Sequence, residues 1–197
     1  SWEFDIASKR IISWLSNHQL TYEDSDKEYR IKFDHSIQKQ TNHLLNEIKN
    51  SIKFENKMIG CAAIILTGLA YQNDEKYLSN GLNLLKKIIN SSIDNQGFPK
   101  SRSIKQLTFY LKYFIIIREW FKESQNTVPE YIDETIYYLG LNYAFVWQNI
   151  NHDILFNGNN ISNNNEFDQY LKRFGYKFKN ENKEIAGYAI LKNKKIV

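Results

Sequence analysis

The sequence predicts a mainly α-helical protein: an incomplete α/α toroid, built of stacked helical hairpins, followed by the first strands of a β domain. Three observations predict this fold class. Apolar side chains recur at helical spacing in six successive stretches between residues 4 and 148. Short turns join these stretches without an intervening strand-like segment. An asparagine-rich region then precedes a final segment with apolar residues on both sides of a polar turn.

Two amphipathic helices are predicted first. The stretch FDIASKRIISWLSN carries apolar residues at helical spacing, and Asp5 stands near its start. A longer helix is expected from Ser25 to about Ser51, because one side of this stretch is apolar and the other is charged.

The third and fourth helices are expected to form a hairpin. The stretch NKMIGCAAIILTGLAYQ is apolar nearly all round and rich in small residues, which predicts close packing on several sides. Its Cys61 is the single cysteine of the chain, so we expect a buried thiol and no internal disulfide. The stretch EKYLSNGLNLLKKIINSSI has one apolar stripe, and Asp74 directly before it is a good N-cap.

The fifth helix is predicted from about Ser103 to Glu123, after the turn DNQGFPKSR. The sixth is predicted to start around Thr127 and to run to about Gln148. Thr127 and Glu130 have capping-box spacing, with Pro129 tolerated in the first turn.

The chain is expected to divide into a toroid fragment (1–149), an asparagine-rich linker (150–184) and the start of a β-sandwich domain (185–197). The linker contains a short predicted helix from about Asn165 to Phe174, which Gly175 would stop. A β-hairpin is expected to turn at residues 192–194. Because the chain has no initial methionine and ends inside this strand pair, we expect a fragment, and localisation stays open.

Composition excludes several classes of function. The formal charge of +4 comes mostly from scattered lysines, whereas a nucleic-acid groove would need a denser, arginine-rich stripe. No uncharged apolar run reaches the 18 residues that a transmembrane helix requires. The four histidines, His18, His35, His43 and His152, have no metal-site spacing, and no phosphate loop or nucleophile elbow occurs. We therefore expect no nucleic acid, no transmembrane segment and no cofactor.

Five motifs together carry a family resemblance: SKRIISWL, DNQGFPKSRSIKQL, IREWF, LFNGNN and FDQYLKRFGYKF. In this order the chain resembles the heparinase II/III family of polysaccharide lyases, from the later part of the toroid to the opening of the β-sandwich. The resemblance implies an acidic, uronic-acid polysaccharide such as a glycosaminoglycan as partner, and a periplasmic or cell-envelope location, with the cytoplasm still open. It also implies β-elimination, which requires a group that neutralises the uronate carboxylate, a base and an acid.

Residues of this chain can be assigned to these roles through the resemblance. Asn56, near the start of the third helix, corresponds to the neutralising amide, or it caps that helix. Lyases of the family carry a Tyr-His pair where this chain has Gln106 and Leu107. Tyr110, one helical turn after Gln106, is either a replacement acid or a core residue.

Further candidates lie in the basic turn and in the linker. Lys100 and Arg102 precede the fifth helix, where they would bind acid groups or form a solvated basic turn. Gln106 is a further candidate for substrate binding. His152 and Asn157 lie in the linker, where the family places residues that line the site.

Two other functions remain open. The first is a non-catalytic carbohydrate-binding or cell-envelope scaffold that kept the fold without the chemistry, which the missing Tyr-His pair allows. The second is a helical-repeat interaction module, although no fixed repeat period supports it. The sequence determines neither the oligomeric state nor the particular polysaccharide.

Overall fold

The protein is mainly helical, as predicted. The structure, a computed structural model, describes residues 3–51, 53–72, 75–148, 154–156, 159–161, 165–181, 184–185 and 187–189. The α-helices of these residues are α1 (Phe4–Ser16), α2 (Lys27–Glu47), α3 (Phe54–Ala70), α4 (Glu75–Ser92), α5 (Ile104–Glu123), α6 (Glu130–Gln148) and α7 (Asn165–Arg173). A π-helical segment, Gln19–Glu23, precedes α2, and a 3-10 turn, Ile48–Asn50, follows it.

The chain forms two compact units. The first unit comprises Ser1–Ser91 and Ile116–Val128, and the second comprises Ser92–Ile115 and Pro129–Val197. The helix α5 therefore begins in the second unit and ends in the first. The second unit groups α6 with the stretch that follows it, whereas the predicted boundary at residue 149 lies outside the described residues.

Helix α3 is the core of the first unit. All its residues from 58 to 69 are buried, and it packs against α1 and α2. Glycines on both helices permit close contact between α3 and α4. A Cβ on Gly68 of α3 would lie 2.4 Å from the backbone nitrogen of Leu78 in α4, and a Cβ on Gly81 of α4 would lie 2.6 Å from Ile65 in α3. Because the later residue of α4 meets the earlier residue of α3, the two helices are antiparallel, and the predicted hairpin is confirmed.

Several helices begin later than predicted. Helix α2 begins at Lys27 because Asp26 acts as its N-cap, with a carboxylate oxygen accepting the Tyr29 amide at 2.8 Å. Helix α6 begins at Glu130 with Pro129 directly before it, so its predicted start near Thr127 was too early. The predicted cap Asp74 lies outside the described residues.

The predicted short helix is present as α7, and it ends as the sequence predicts. Gly175 takes the left-handed conformation (φ 74°), and its amide donates to Lys172 O at 3.1 Å. The Tyr176 amide donates to Leu171 O at 2.9 Å. These two bonds form a Schellman motif, which requires a residue that tolerates positive φ.

The stretch predicted as a linker packs against α6 in the second unit. Phe167 of α7 is buried, and the Tyr143 hydroxyl of α6 donates to Asp168 at 2.7 Å. The Phe178 ring packs closely against Gly140 of α6, because a Cβ added to Gly140 would lie 2.1 Å from a carbon of this ring. The Asn180 side-chain amide donates to Leu141 O at 2.9 Å, so the stretch is anchored to α6 along residues 167–180.

The strands of the described residues are short and antiparallel. Strand β1 (Ile154–Phe156) pairs with β2 (Asn159–Ile161), and β3 (Glu184–Ile185) pairs with β4 (Tyr188–Ala189). The second pair turns near Gly187 (φ 80°), before the predicted turn at residues 192–194, which lies outside the described residues. None of the described helices has the length and hydropathy needed to cross a membrane.

Candidate functional site

The turn before α5 is fixed by the carboxylate of Asp94. One of its oxygens accepts the backbone amides of Gln96 and Phe98, each at 2.9 Å. Gly97 between them has φ 72°, and a Cβ there would lie 2.3 Å from the Cβ of Tyr138. The turn therefore needs both the Asp side chain and the Gly that the sequence places in it.

Arg102 is bound to the same carboxylate. Its Nη1 donates to the second oxygen of Asp94, and its side chain is 40% exposed. Burial by itself would raise the pKa of Asp94, but the hydrogen bonds from the Phe98 amide, the Arg102 guanidinium and the Gln96 amide outweigh it, and the pKa is lowered. Arg102 thus already has an internal carboxylate, and Lys100 is the exposed cation of the turn.

Gln106 and Tyr110 lie on the same face of α5, as predicted, but that face is buried. The Gln106 amide nitrogen donates to the Tyr110 hydroxyl at 3.2 Å, and its amide oxygen accepts the Ser101 hydroxyl. Tyr110 is 1% exposed and Gln106 is 7% exposed. This placement favours the core interpretation of Tyr110, because a buried phenol does not contact a polymer in solvent.

Asn56, one of the predicted site residues, lies in a cavity. It is the third residue of α3, and Lys53 is the N-cap residue, so the alternative that Asn56 caps the helix is wrong. The cavity has a volume of about 460 Å³. Its polar walls come from α2, from the turn after it and from the start of α3: His43, Glu47, Asn50, Ser51, Lys53 and Asn56.

These side chains combine hydrogen-bond donors with an imidazole ring. The Asn56 amide and the Lys53 ammonium are donors, and the two ring nitrogens of His43 are able to donate or accept hydrogen bonds. The Ser51 hydroxyl oxygen is buried and has no hydrogen-bond partner among the described residues, so a bound ligand would satisfy it.

Sequence reasoning did not select His43 or Lys53. The signal available was the four-residue spacing of His43 and Glu47, which puts both on one helix face just before the connection to α3. That spacing does not reveal a cavity, because Asn56 and Lys53 reach it from another element.

Among the described residues, the other predicted site residues do not line this cavity. Asn56 belongs to the first unit, whereas Lys100, Arg102, Gln106 and Tyr110 belong to the second. His152 and Asn157 lie outside the described residues. In the part of the chain that the structure describes, no group of three or more His, Cys, Asp or Glu side chains is placed to hold a metal ion.

The comparisons with known proteins add no relative. No protein-family model matches the chain, and no curated protein or solved structure matches it either. The heparinase II/III resemblance therefore rests on the sequence motifs, and the residues of the Asn56 cavity must be interpreted through their own chemistry.

Proposed function

We propose that the protein is a heparinase II/III-like domain, with an α/α toroid fold, that binds an acidic polysaccharide and receives a uronate group in the cavity around Asn56. The observation that supports this proposal is the presence of Asn56, Lys53 and His43 around one cavity. An amide and an ammonium are suitable donors to a carboxylate, and an imidazole beside them is a suitable base.

The same residues have the chemistry that β-elimination needs. Lys53 and Asn56 donate to the uronate carboxylate and stabilise the negative charge that develops there when the adjacent C–H proton leaves. His43 accepts this proton, the C–H electron pair becomes the new double bond, and the glycosidic C–O bond breaks. The departing oxygen takes a proton, which the protonated His43 is able to supply.

The experiment follows cleavage and binding together. The full chain is incubated with a panel of uronic-acid polysaccharides, the ultraviolet absorbance of unsaturated products is recorded, and binding is measured by calorimetry. His43→Ala should remove product formation and leave binding within about threefold, whereas Asn56→Ala should weaken binding about tenfold or more, since it removes a donor to the charged group.

Matched controls use the exposed residues of α2. His35→Ala and Asn42→Ala change the same residue types at exposed positions, so both should behave as wild type. Binding and turnover that are equal in wild type, His43→Ala and Asn56→Ala would refute the proposed site.

A second candidate function is a non-catalytic carbohydrate-binding scaffold. The observation that favours it is the burial of Gln106 (7% exposed) and Leu107 (0% exposed), at the positions where the resemblance expects a Tyr-His pair. Polysaccharide binding that depends on Asn56 and Lys53, without unsaturated product on any substrate, would support the scaffold over the lyase.

A further inference from the structure

A second cavity in the first unit has a different chemical character. Its volume is about 360 Å³, within the range of small-molecule sites. Leucines from α1 and α3 contribute to its apolar walls. The aromatic and acidic side chains of its lining are Tyr22, Phe33, Asp34, Tyr71, Trp120 and Glu123.

Asp34 is held in this cavity by two phenols. The Tyr71 hydroxyl donates to one carboxylate oxygen at 2.7 Å, and the Tyr22 hydroxyl donates to the other at 3.1 Å. Burial, reinforced by the hydrogen bond to Asp34 and by its negative charge, raises the pKa of both tyrosines. Both phenols therefore remain protonated and donate their protons to Asp34, which leaves phenol lone pairs as acceptors for a ligand.

The remaining polar groups of the cavity are also mainly acceptors. The Ser124 hydroxyl donates to main-chain carbonyls, Trp120 O at 2.8 Å and Phe121 O at 3.1 Å. Glu123 adds a second carboxylate, and its side chain is exposed at the rim. His18 also lines the cavity, and its Nε2 is 3.1 Å from the carboxylate of Glu23.

The cavity wall lacks a permanent cation in the described part of the chain. Its lining includes Asp34 and Glu123 but neither Lys nor Arg among the described residues. Arg30 lies nearby, with its guanidinium 5.2 Å from the centre of the Tyr22 ring, and it donates to the main-chain carbonyls of Glu23 and Ser25. The lining itself is acidic, while the positive charge of Arg30 lies outside it.

Aromatic rings complete the wall. The Phe33 ring lies 5.5 Å from the Tyr22 ring and 5.6 Å from the Trp14 ring, centroid to centroid. Trp120 is 6% exposed. The faces of such rings carry partial negative charge and attract cations, and the attraction is stronger where water is excluded.

We infer that this cavity binds a small organic cation, an alkylammonium group attached to an apolar body. The ammonium group donates hydrogen bonds to Asp34, Glu123 and the phenol oxygens. The apolar part of the ligand contacts the leucines, Phe33 and Trp120. A uronate would instead meet two carboxylates here. The inference does not depend on the proposed polysaccharide function, because the Asn56 cavity and this one share none of the lining residues named for either.

The experiment compares a cation with its neutral counterpart. The full chain is titrated with 2-phenylethylammonium chloride and with 2-phenylethanol by calorimetry at low salt. The ammonium compound should bind at least about tenfold more tightly than the alcohol. Asp34→Asn should remove most of this difference, because it weakens the binding of the ammonium compound much more than that of the alcohol. Asn at this position still accepts from one phenol, which protects the fold.

Two further variants keep the test decisive. Glu123→Gln changes an exposed side chain, and it should weaken ammonium binding severalfold even if Asp34→Asn does not fold. Asp5→Asn on α1 is the matched control and should bind as wild type. Equal affinity for the cation and the alcohol, or a Glu123→Gln variant identical to wild type, would overturn the inference.

Discussion

Asp34 in the first unit and Asp94 in the second are both partly buried aspartates, and each accepts hydrogen bonds on both carboxylate oxygens. Asp94 receives two backbone amides and a guanidinium from within eight residues of itself. Asp34 receives two phenols, from residues 12 and 37 positions away in the sequence. The first arrangement closes a turn, whereas the second forms the wall of a cavity.

The difference shows that the surroundings of a carboxylate determine its use. The positive charge of the Arg102 guanidinium offsets the negative charge of Asp94, so one of the cations of the basic turn is already paired within the turn. Two neutral phenols hold Asp34 without cancelling its charge, so that charge remains available to a ligand. Four predictions test this contrast.

The largest effect is expected in the buried face of α5. Phe114 of α5 is fully buried, so Phe114→Ala should lower the free energy of unfolding by about 3–5 kcal/mol, measured by urea denaturation. Phe109→Ala, at a half-buried position of the same helix, is the control and should cost less. A near-neutral Phe114→Ala would place this ring on a binding surface and contradict the structure.

Asp94→Ala should cost about 2–3 kcal/mol, because two amides and Arg102 lose their acceptor. Since folding lowers its pKa, the Asp94 carboxylate stabilises the fold above the unfolded-state pKa of about 4 and loses this effect as pH falls through the folded value. The difference between wild type and variant in urea should therefore be constant from pH 5 to 7 and shrink below about pH 4. A difference that grew on acidification would disprove the assignment.

The phenols around Asp34 should matter less for stability. Tyr71→Phe should cost about 1 kcal/mol in the same denaturation experiment, since it removes one hydrogen bond and keeps the ring. Tyr22→Phe should cost less, because its hydrogen bond is longer. If Tyr71→Phe cost as much as Asp94→Ala, Asp34 would be a structural centre comparable to Asp94.

The smallest effect concerns binding at the basic turn. Lys100→Ala should weaken the binding of an acidic polysaccharide about twofold to fivefold, and the loss should fade at high salt because the side chain is exposed. Arg102→Ala should weaken binding by a similar factor and also destabilise the turn, since Arg102 holds Asp94. Unchanged affinity in Lys100→Ala would show that the turn is solvated and does not contact the ligand.

Local features of the fold could be predicted well from sequence. Gln106 and Tyr110 contact each other because residues four apart share a helix face. Gly175 stops α7 because it tolerates positive φ. Helix α5 ends at Glu123, as predicted. The left-handed residue that follows it is Gln125 (φ 57°), a residue type that does not signal this conformation in the sequence.

The candidate sites could be predicted only in part. The family resemblance indicates Asn56, but it does not indicate His43 and Lys53, which line the same cavity. The burial of Tyr110 was an open alternative that periodicity does not resolve, because α5 has apolar residues on several sides. The Asp34 cavity gave no sequence signal, since its two tyrosines stand far from Asp34 along the chain.

The sequence by itself determined the helices, the α3–α4 hairpin and the turn at Asp94, because each depends on interactions between residues close in the chain or on the apolar periodicity of one segment. Tertiary structure alone decided which polar groups meet in cavities and which are buried. Lys53 and His43 line the same cavity, two tyrosines donate to Asp34, and Tyr110 is buried in the core. These outcomes depend on contacts between elements, which local preferences do not specify.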